Sequence, residues 1–282
     1  MTDLRAKDFP AHPFNRVALD IEPTTRIARD VSRRVLARAT WLISPLLLLA
    51  LWAGVAQAHR FPPQILVSPL DVWRAFNTLL ESGELQANVA ISLLRLLEGF
   101  AAGASTGIVF GIALALSPRV EAYCGWTFAA LRQMPTLVMI PMLVLILGVD
   151  ESLKIVIVAK ATFFPVALAA CQAVRALPSA QLEVARLLRL RGWALYRRVI
   201  VPAVAPGIVT GMRIALSRSW LVLVSAELLA ADSGIGEMME LARQQLQIDV
   251  VMVCIFVTGI VGFVLDRGLR GAERSLRRWQ RT

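Results

Sequence analysis

Glu183-Val184-Ala185-Arg186-Leu187-Leu188-Arg189-Leu190-Arg191-Gly192-Trp193, running on to Val201-Pro202, is a short charged insert in a chain that is otherwise strongly apolar. Pro178-Ser179 supplies a helix start with Ser179 as N-cap, and Ala180–Leu190 is long enough for about three turns. On that helix Glu183, Arg186 and Arg189 share one stripe at i+3 spacing, while Leu182, Ala185 and Leu188 follow one another along the neighbouring flank. A second short helix over Trp193–Ile200 would end at Pro202. An amphipathic helix of this size can seat in a groove on a soluble partner and transmit rigid-body motion. On spacing alone, the competing reading is a solvated charged loop between two spans.

The flanking sequence decides what the insert connects. Of 282 residues, 57% are hydrophobic and the mean hydropathy is +0.63, against roughly 45–50% apolar residues in soluble domains. The composition is that of an integral membrane protein. Uncharged runs at 39–59 and 99–118 have full span length, and 133–149 and 250–265 lie near the lower limit of the roughly 17–25 residues needed to cross. Two more spans carry charges: about 153–176 with Lys154 and Lys160, and about 205–229 with Arg213, Arg218 and Glu227. The predicted architecture is all-α and polytopic, with about six transmembrane helices near 39–59, 92–117, 122–149, 153–176, 205–229 and 249–270. These make a transmembrane domain over 39–272, with the charged loop at 177–204, a tail at 1–38 and a basic tail at 273–282.

Arginines set the orientation, because Lys and Arg near span ends hold a loop on the cytoplasmic side. They crowd the tail from Arg5 to Arg38, the charged loop (Arg186, Arg189, Arg191, Arg197, Arg198) and the C-terminus from Arg267 to Arg281. Residues 230–249 hold only Arg243 against Asp232, Glu237, Glu240 and Asp249. Six spans with both termini cytoplasmic satisfy this pattern. The net charge of +10 then reflects topology and contact with anionic headgroups rather than nucleic acid. Within the tail, Ile27–Arg38 reads as an interfacial amphipathic helix carrying Arg29, Arg33 and Arg34.

The chain lacks the residues of an energy-converting enzyme. A phosphate-binding loop ends in Gly-Lys, and none of the three lysines, Lys7, Lys154 and Lys160, follows a glycine. Any ATP must be hydrolysed by another subunit, and no cofactor is expected on this chain. Cys124, Cys171 and Cys254 lie in apolar stretches, which favours buried thiols over a disulfide framework. His12 and His59 are too isolated for a metal site. No cleavable signal peptide is expected, since the first 38 residues are polar and the first apolar run is long. Neither a catalytic residue nor an acid/base pair emerges within the spans.

Three features mark the spans themselves. Gly99, Gly103, Gly107 and Gly111 recur every fourth residue, a spacing that lets another helix approach closely. In the same segment Arg95 and Glu98 are spaced to pair at i+3. Pro135 and Pro141, in Met134-Pro135-Thr136-Leu137-Val138-Met139-Ile140-Pro141, should kink the third span and make it a candidate lining of a pathway. Arg213, Arg218 and Glu227 lie where charge is expensive, so an anionic solute is the natural cargo if the arginines face a cavity. A transporter driven by an ion gradient is the alternative, and Glu227 is the only deep carboxylate it could use.

Over about residues 85–280 the chain resembles ATP-binding-cassette importer permeases of the nitrate, sulfonate and taurine group. The likeness is carried by Ser92-Leu93-Leu94-Arg95, Met134-Pro135-Thr136 with Pro141, and Glu183 to Pro206. It is also carried by Gly211-Met212-Arg213-Ile214-Ala215-Leu216, Ala226-Glu227-Leu228-Leu229, Ser233-Gly234-Ile235-Gly236 and Asp266-Arg267. Glu183, Ala185 and Pro202 match the family's Glu-Ala-Ala loop, which opens with Glu, a small residue and Ala and closes at a hydrophobic residue followed by Pro. The resemblance implies the type I importer permease (MetI-like) fold, a homodimer with a central pathway, two ATPase subunits that hold ATP and Mg, and a periplasmic solute-binding protein. It also implies that Glu183, Ala185, Arg186, Leu188, Arg189, Gly192 and Pro202 couple to the ATPase. One departure stands out, because Arg189 occupies the place where the family carries Gly. Either the turn moves to Gly192, or contacts hold Arg189 in it.

Overall fold

The computed structural model describes residues 43–58, 66–178, 180, 183, 185, 187–190 and 192–279. Among these, helices and turns account for the regular structure and no strand occurs. The interfacial helix expected at 27–38, both histidines, Ser179 and Arg186 lie outside the described residues. Residues 1–58 and 59–282 form separate units. The first contributes α1, Ile43–Gln57, an apolar helix shorter than a full span.

In the second unit α2 (Pro69–Glu81) starts at Ser68, whose hydroxyl accepts from the Asp71 amide ahead of Pro69. It is followed by α3 (Glu84–Leu116) and α4 (Pro118–Gln133). α5 spans Ile140–Leu147 and α6 Glu151–Arg175. α7 (Gly192–Leu195) runs through a π-helical turn at Tyr196–Ile200 into α8 (Val201–Ala230). α9 (Ile235–Gln244) and α10 (Ile248–Trp279) complete the chain. By length and composition, α3, α6, α8 and α10 can each cross a membrane, and α4 with 137–147 is a fifth if that bent pair is counted as one span. With 33 residues, α3 starts at Glu84, well before the 92 expected, and its length of about 50 Å exceeds the roughly 30 Å hydrocarbon core.

The core lies where α6 is held between α3 and α8. Gly99, Gly103, Gly107 and Gly111 are all buried on the α3 face that meets α6. A Cβ at these positions would strike the carbonyl oxygens of Ile155, Ala159, Phe163 and Ala167 in turn, themselves spaced by four. The two backbones touch along a seam that only glycine permits, which is the close approach the spacing predicts. Gly211 of α8 faces Ala169 of α6 in the same way. Phe110, Phe128, Phe163 and Phe164 join α3, α4 and α6 at one end, with ring centroids 5.1–6.3 Å apart. Ile140, Leu153, Ile157 and Ala226 seat α5 on α6 and α8 at the other.

The third span is not merely kinked. α4 and the segment beginning at Leu137 meet at 86°. Pro135 has no amide hydrogen and disfavours helical geometry in the residue before it, and Met134 accordingly has φ −72° and ψ 116°. Pro141 causes no second break, since it stands in the first turn of α5, where its missing donor is not needed.

Candidate coupling segment and mid-span cavity

The charged insert folds back onto the ends of α6 and α8. Its described residues between Ala180 and Leu187 are helical, and the chain turns at Leu188 and Arg189. Ala185 is only 1% exposed, whereas Leu187, Leu188, Glu183 and Arg189 are open. Ala176, Pro178, Ala185, Leu188, Arg198 and Pro202 line a cavity of about 870 Å³ beneath the segment. The small side chain at Ala185 therefore faces inward and the Glu183 carboxylate outward, a division that follows from their spacing of two on one helix.

Arg189 itself makes the turn. Its φ is 51°, and the Leu190 amide donates to the Ala185 carbonyl at 3.0 Å. This is the six-to-one hydrogen bond of a Schellman helix end, with Arg189 in the left-handed position that glycine usually fills. The possibility that the turn moves to Gly192 is thereby corrected, since Gly192 instead opens α7. Leu246 repeats the geometry after α9, with φ 59° and the Gln247 amide on the Ala242 carbonyl at 2.9 Å. The expectation that Pro202 ends a short helix is also corrected. Pro202 stands in the first turn of α8, where the preceding π-helical turn leads straight into the span.

At mid-span the break at Met134–Thr136, α6 and α8 enclose a second cavity of about 520 Å³. Met134, Pro135 and Arg218 line it, as do Arg132 and Lys160. The Lys160 ammonium donates to the Met134 carbonyl at 3.1 Å and to Thr136 Oγ1 at 3.3 Å, so it satisfies backbone that the break leaves unpaired. As one charge within its span, Lys160 carried no assigned role from the sequence. The signal that could have found it was the freed carbonyl next to Pro135, which needs a donor from a neighbouring helix. Pro141 does not line this cavity.

The other two fifth-span charges point elsewhere. Arg213 Nε lies 3.3 Å from Glu273 Oε2, and Asp266 is 4.0 Å from Nη1, so α10 holds this guanidinium. Glu227 is 1% exposed. Its Oε1 accepts from Arg95 Nη1 at 2.9 Å, its Oε2 from the Gly236 amide at 3.1 Å, and both oxygens lie within reach of Ser92 Oγ. Arg95 also donates to the Ser233 carbonyl and hydroxyl and to both oxygens of Glu151, while Glu98 stays exposed. The i+3 pair of Arg95 with Glu98 is therefore replaced by a long-range cluster joining α3, α6, α8 and the loop before α9. At that end, outside the spans, burial together with nearby Asp232 and Glu84 pushes the Glu237 carboxyl up. Among the described residues no group of three or more His, Cys, Asp or Glu can hold a metal ion.

Comparison with known proteins matches residues 107–278 to the family described as "Binding-protein-dependent transport system inner membrane component". The aliphatic sulfonates transport permease protein SsuC of Escherichia coli (strain K12) is 37% identical over 90% of this chain and 96% of its own. The protein of the same name from Bacillus subtilis (strain 168) is 34% identical over 85% of this chain and 87% of its own. In fold, the chain is similar to a solved amino acid ABC transporter, with a TM-score of 0.56 and 14% identity over 71% of this chain and 97% of that one. The chain belongs to the family of inner-membrane components of binding-protein-dependent transport systems.

Proposed function

We propose that the chain is the permease subunit of an ATP-binding-cassette importer for a small organic anion of the sulfonate, taurine or nitrate kind. It works as a homodimer, with two ATPase subunits on the cytoplasmic side and a periplasmic binding protein on the other. The observation that carries this reading is the segment 183–202, whose Glu183 is open to a partner while Ala185 is buried against the spans. Glu183, Arg186, Leu188 and Gly192 engage the ATPase, Arg189 shapes that surface by making the turn, and Ala185 and Pro202 pass the ATPase's movement to α6 and α8. ATP and Mg²⁺ are held by the ATPase subunits. Both termini are cytoplasmic, in keeping with Arg197, Arg198, Arg267, Arg270 and Arg274 at one end and Asp232, Glu237 and Glu240 at the other.

The homodimer is supported by the face of the broken span. Trp126, Val138, Leu145 and Ile146, on the two limbs of that span, are 67–88% exposed. Broken backbone and a cationic cavity at membrane depth cannot face lipid and need protein cover, which a second copy related by a two-fold axis supplies. Met134, Pro135 and Arg218 line the pathway, with Pro141 starting the short helix that follows the break. Arg213 and Glu227, bound as described, hold the helices that frame it. A gradient-driven transporter would need Glu227 free to load and release an ion, whereas Arg95, Ser92 and the Gly236 amide occupy it.

Isolation in mild detergent from native membranes tests this function. The permease is expected to bring down an ATPase in equal amount. Its reproducible absence would overturn the importer reading.

A further inference from the structure

The mid-span cavity has an unusual charge balance. Arg132, Lys160 and Arg218 line it, and no Asp or Glu does. None of the three is ion-paired among the described residues, although Arg95, Arg175, Arg213, Arg243 and Arg270 all are. Lys160 is nine residues into α6, about 14 Å from its start, within a helix long and apolar enough to cross a membrane. Two of the three ammonium donors reach Met134 and Thr136, and the ammonium also lies 5.7 Å from the centroid of the Phe164 ring, which leaves one donor without an oxygen. Neither of those oxygens carries a negative charge. Arg132 and Arg218 are exposed in the single chain; unpaired charge within membrane spans is costly, and a bound anion offsets it.

The rest of the lining sets the shape of that anion. Phe164, Leu168, Ile214 and Val222 give the same cavity an apolar wall. A volume of about 520 Å³ admits a small molecule with a charged head and a short hydrocarbon tail, and is of the size that ligand pockets commonly have.

We propose that Lys160, Arg132 and Arg218 form an anion site within the membrane that receives the oxyanion head of a small organic acid, with Phe164 and Leu168 against its apolar tail. The site rests on the transport reading above. Lys160 has two tasks there: it caps the break in the third span and directs its remaining donor at the head group. The importer reading does not require such a site, because a permease can pass solute from a binding protein without holding it.

The site is tested by binding of ethanesulfonate to the intact permease–ATPase complex in phosphatidylcholine nanodiscs, without binding protein, by calorimetry. Ethanesulfonamide, neutral and of similar shape, is the matched probe. The sulfonate should bind and the sulfonamide should not. Lys160→Met and Arg218→Gln should each weaken binding roughly ten- to hundred-fold, as expected for loss of one hydrogen bond to a charged group. Lys160→Arg should retain binding, which separates loss of charge from loss of fold, and Arg243→Gln should bind normally because it pairs with Glu240 on α9, away from the cavity. Equal binding of both probes, no sulfonate binding to the wild-type complex, or unchanged affinity in Lys160→Met would each overturn the site. So would heat released only on adding phosphatidylglycerol, which would identify a lipid phosphate as the occupant. Each of these failures leaves co-isolation of the ATPase unaffected.

Discussion

Arg95 and Glu227, 132 residues apart in sequence, meet with Nη1 2.9 Å from Oε1 and with side chains 3% and 0% exposed. The pair is surrounded by Ser92, Ser233 and the amides of Ile235 and Gly236, so most of its polar atoms are occupied. Burying two charges is repaid only with such additional partners. The cluster ties α3, α8 and the 231–234 loop together at the end opposite the coupling segment.

Removing Arg95 leaves the Glu227 carboxylate buried without a counter-charge, whereas removing Glu227 leaves the guanidinium paired with Glu151. Arg95→Met is expected to cost about 3–5 kcal/mol and to lower the amount of folded permease, and Glu227→Gln to cost less because Glu151 still faces the guanidinium. The double variant Arg95→Met with Glu227→Met should recover part of that loss. Thermal unfolding of the purified complex measures this, and additive losses would show that the two side chains act independently.

The glycine seam makes a sharper structural prediction. A Cβ on Gly107 would lie 2.8 Å from the Phe163 carbonyl oxygen, on backbone that cannot move aside as a side chain would. Gly107→Leu should therefore separate α3 from α6 and prevent accumulation of folded protein. Gly54 and Gly259 have nothing within 4 Å of such a Cβ, and Gly259→Ala should be close to neutral. Fluorescence-detected size exclusion of tagged variants distinguishes the two outcomes.

Much of this was legible in the chain because periodicity and charge are local properties. The four-residue glycine spacing gave the close helix contact, Pro135 marked the break, and the arginine-rich insert stood out as a charged helix between two spans. What remained hidden depends on which helices are neighbours. Ser92, Arg95, Glu227 and Ser233 were visible as separate motifs, yet nothing in their spacing says that one guanidinium reaches two carboxylates on different helices. Lys160 looked like one more charge in a span until the break beside it supplied Met134 and Thr136 as partners. Arg189 was flagged as a departure from glycine, but the backbone hydrogen bond from Leu190 to Ala185 decided that the turn stays there.

That turn predicts the effect of restoring the family's residue. A non-glycine residue in the left-handed region costs roughly 1–2 kcal/mol, and Arg189 pays it at φ 51°. Arg189→Gly should keep the turn and leave transport intact or improved, whereas Arg189→Val should disrupt it, since a β-branched residue fits this region poorly. ATPase activity and uptake in vesicles read both. Loss of coupling in Arg189→Gly with full stability would mean that the guanidinium contacts the partner directly.

Glu183 and Ala185 are two residues apart and face opposite ways, so they should fail differently. Ala185 is 1% exposed and its carbonyl accepts the bond that closes the turn. An Asp there would bury an unpaired carboxylate, and Ala185→Asp should detach the segment from α6 and α8 with a loss of about 1–3 kcal/mol or more. Glu183 is exposed and, among the described residues, makes no such contact. Glu183→Arg should therefore insert and fold as the wild type does, while reversing the charge presented to the ATPase. Losing a charged partner in a desolvated interface commonly costs about 2–5 kcal/mol of binding, enough to lower complex yield and abolish substrate-stimulated ATPase activity. Thermal unfolding of the isolated permease and ATPase assays of the complex separate the two effects. Wild-type stimulation in Glu183→Arg would remove Glu183 from the coupling surface, and an unchanged unfolding temperature in Ala185→Asp would show that the segment does not depend on its buried face.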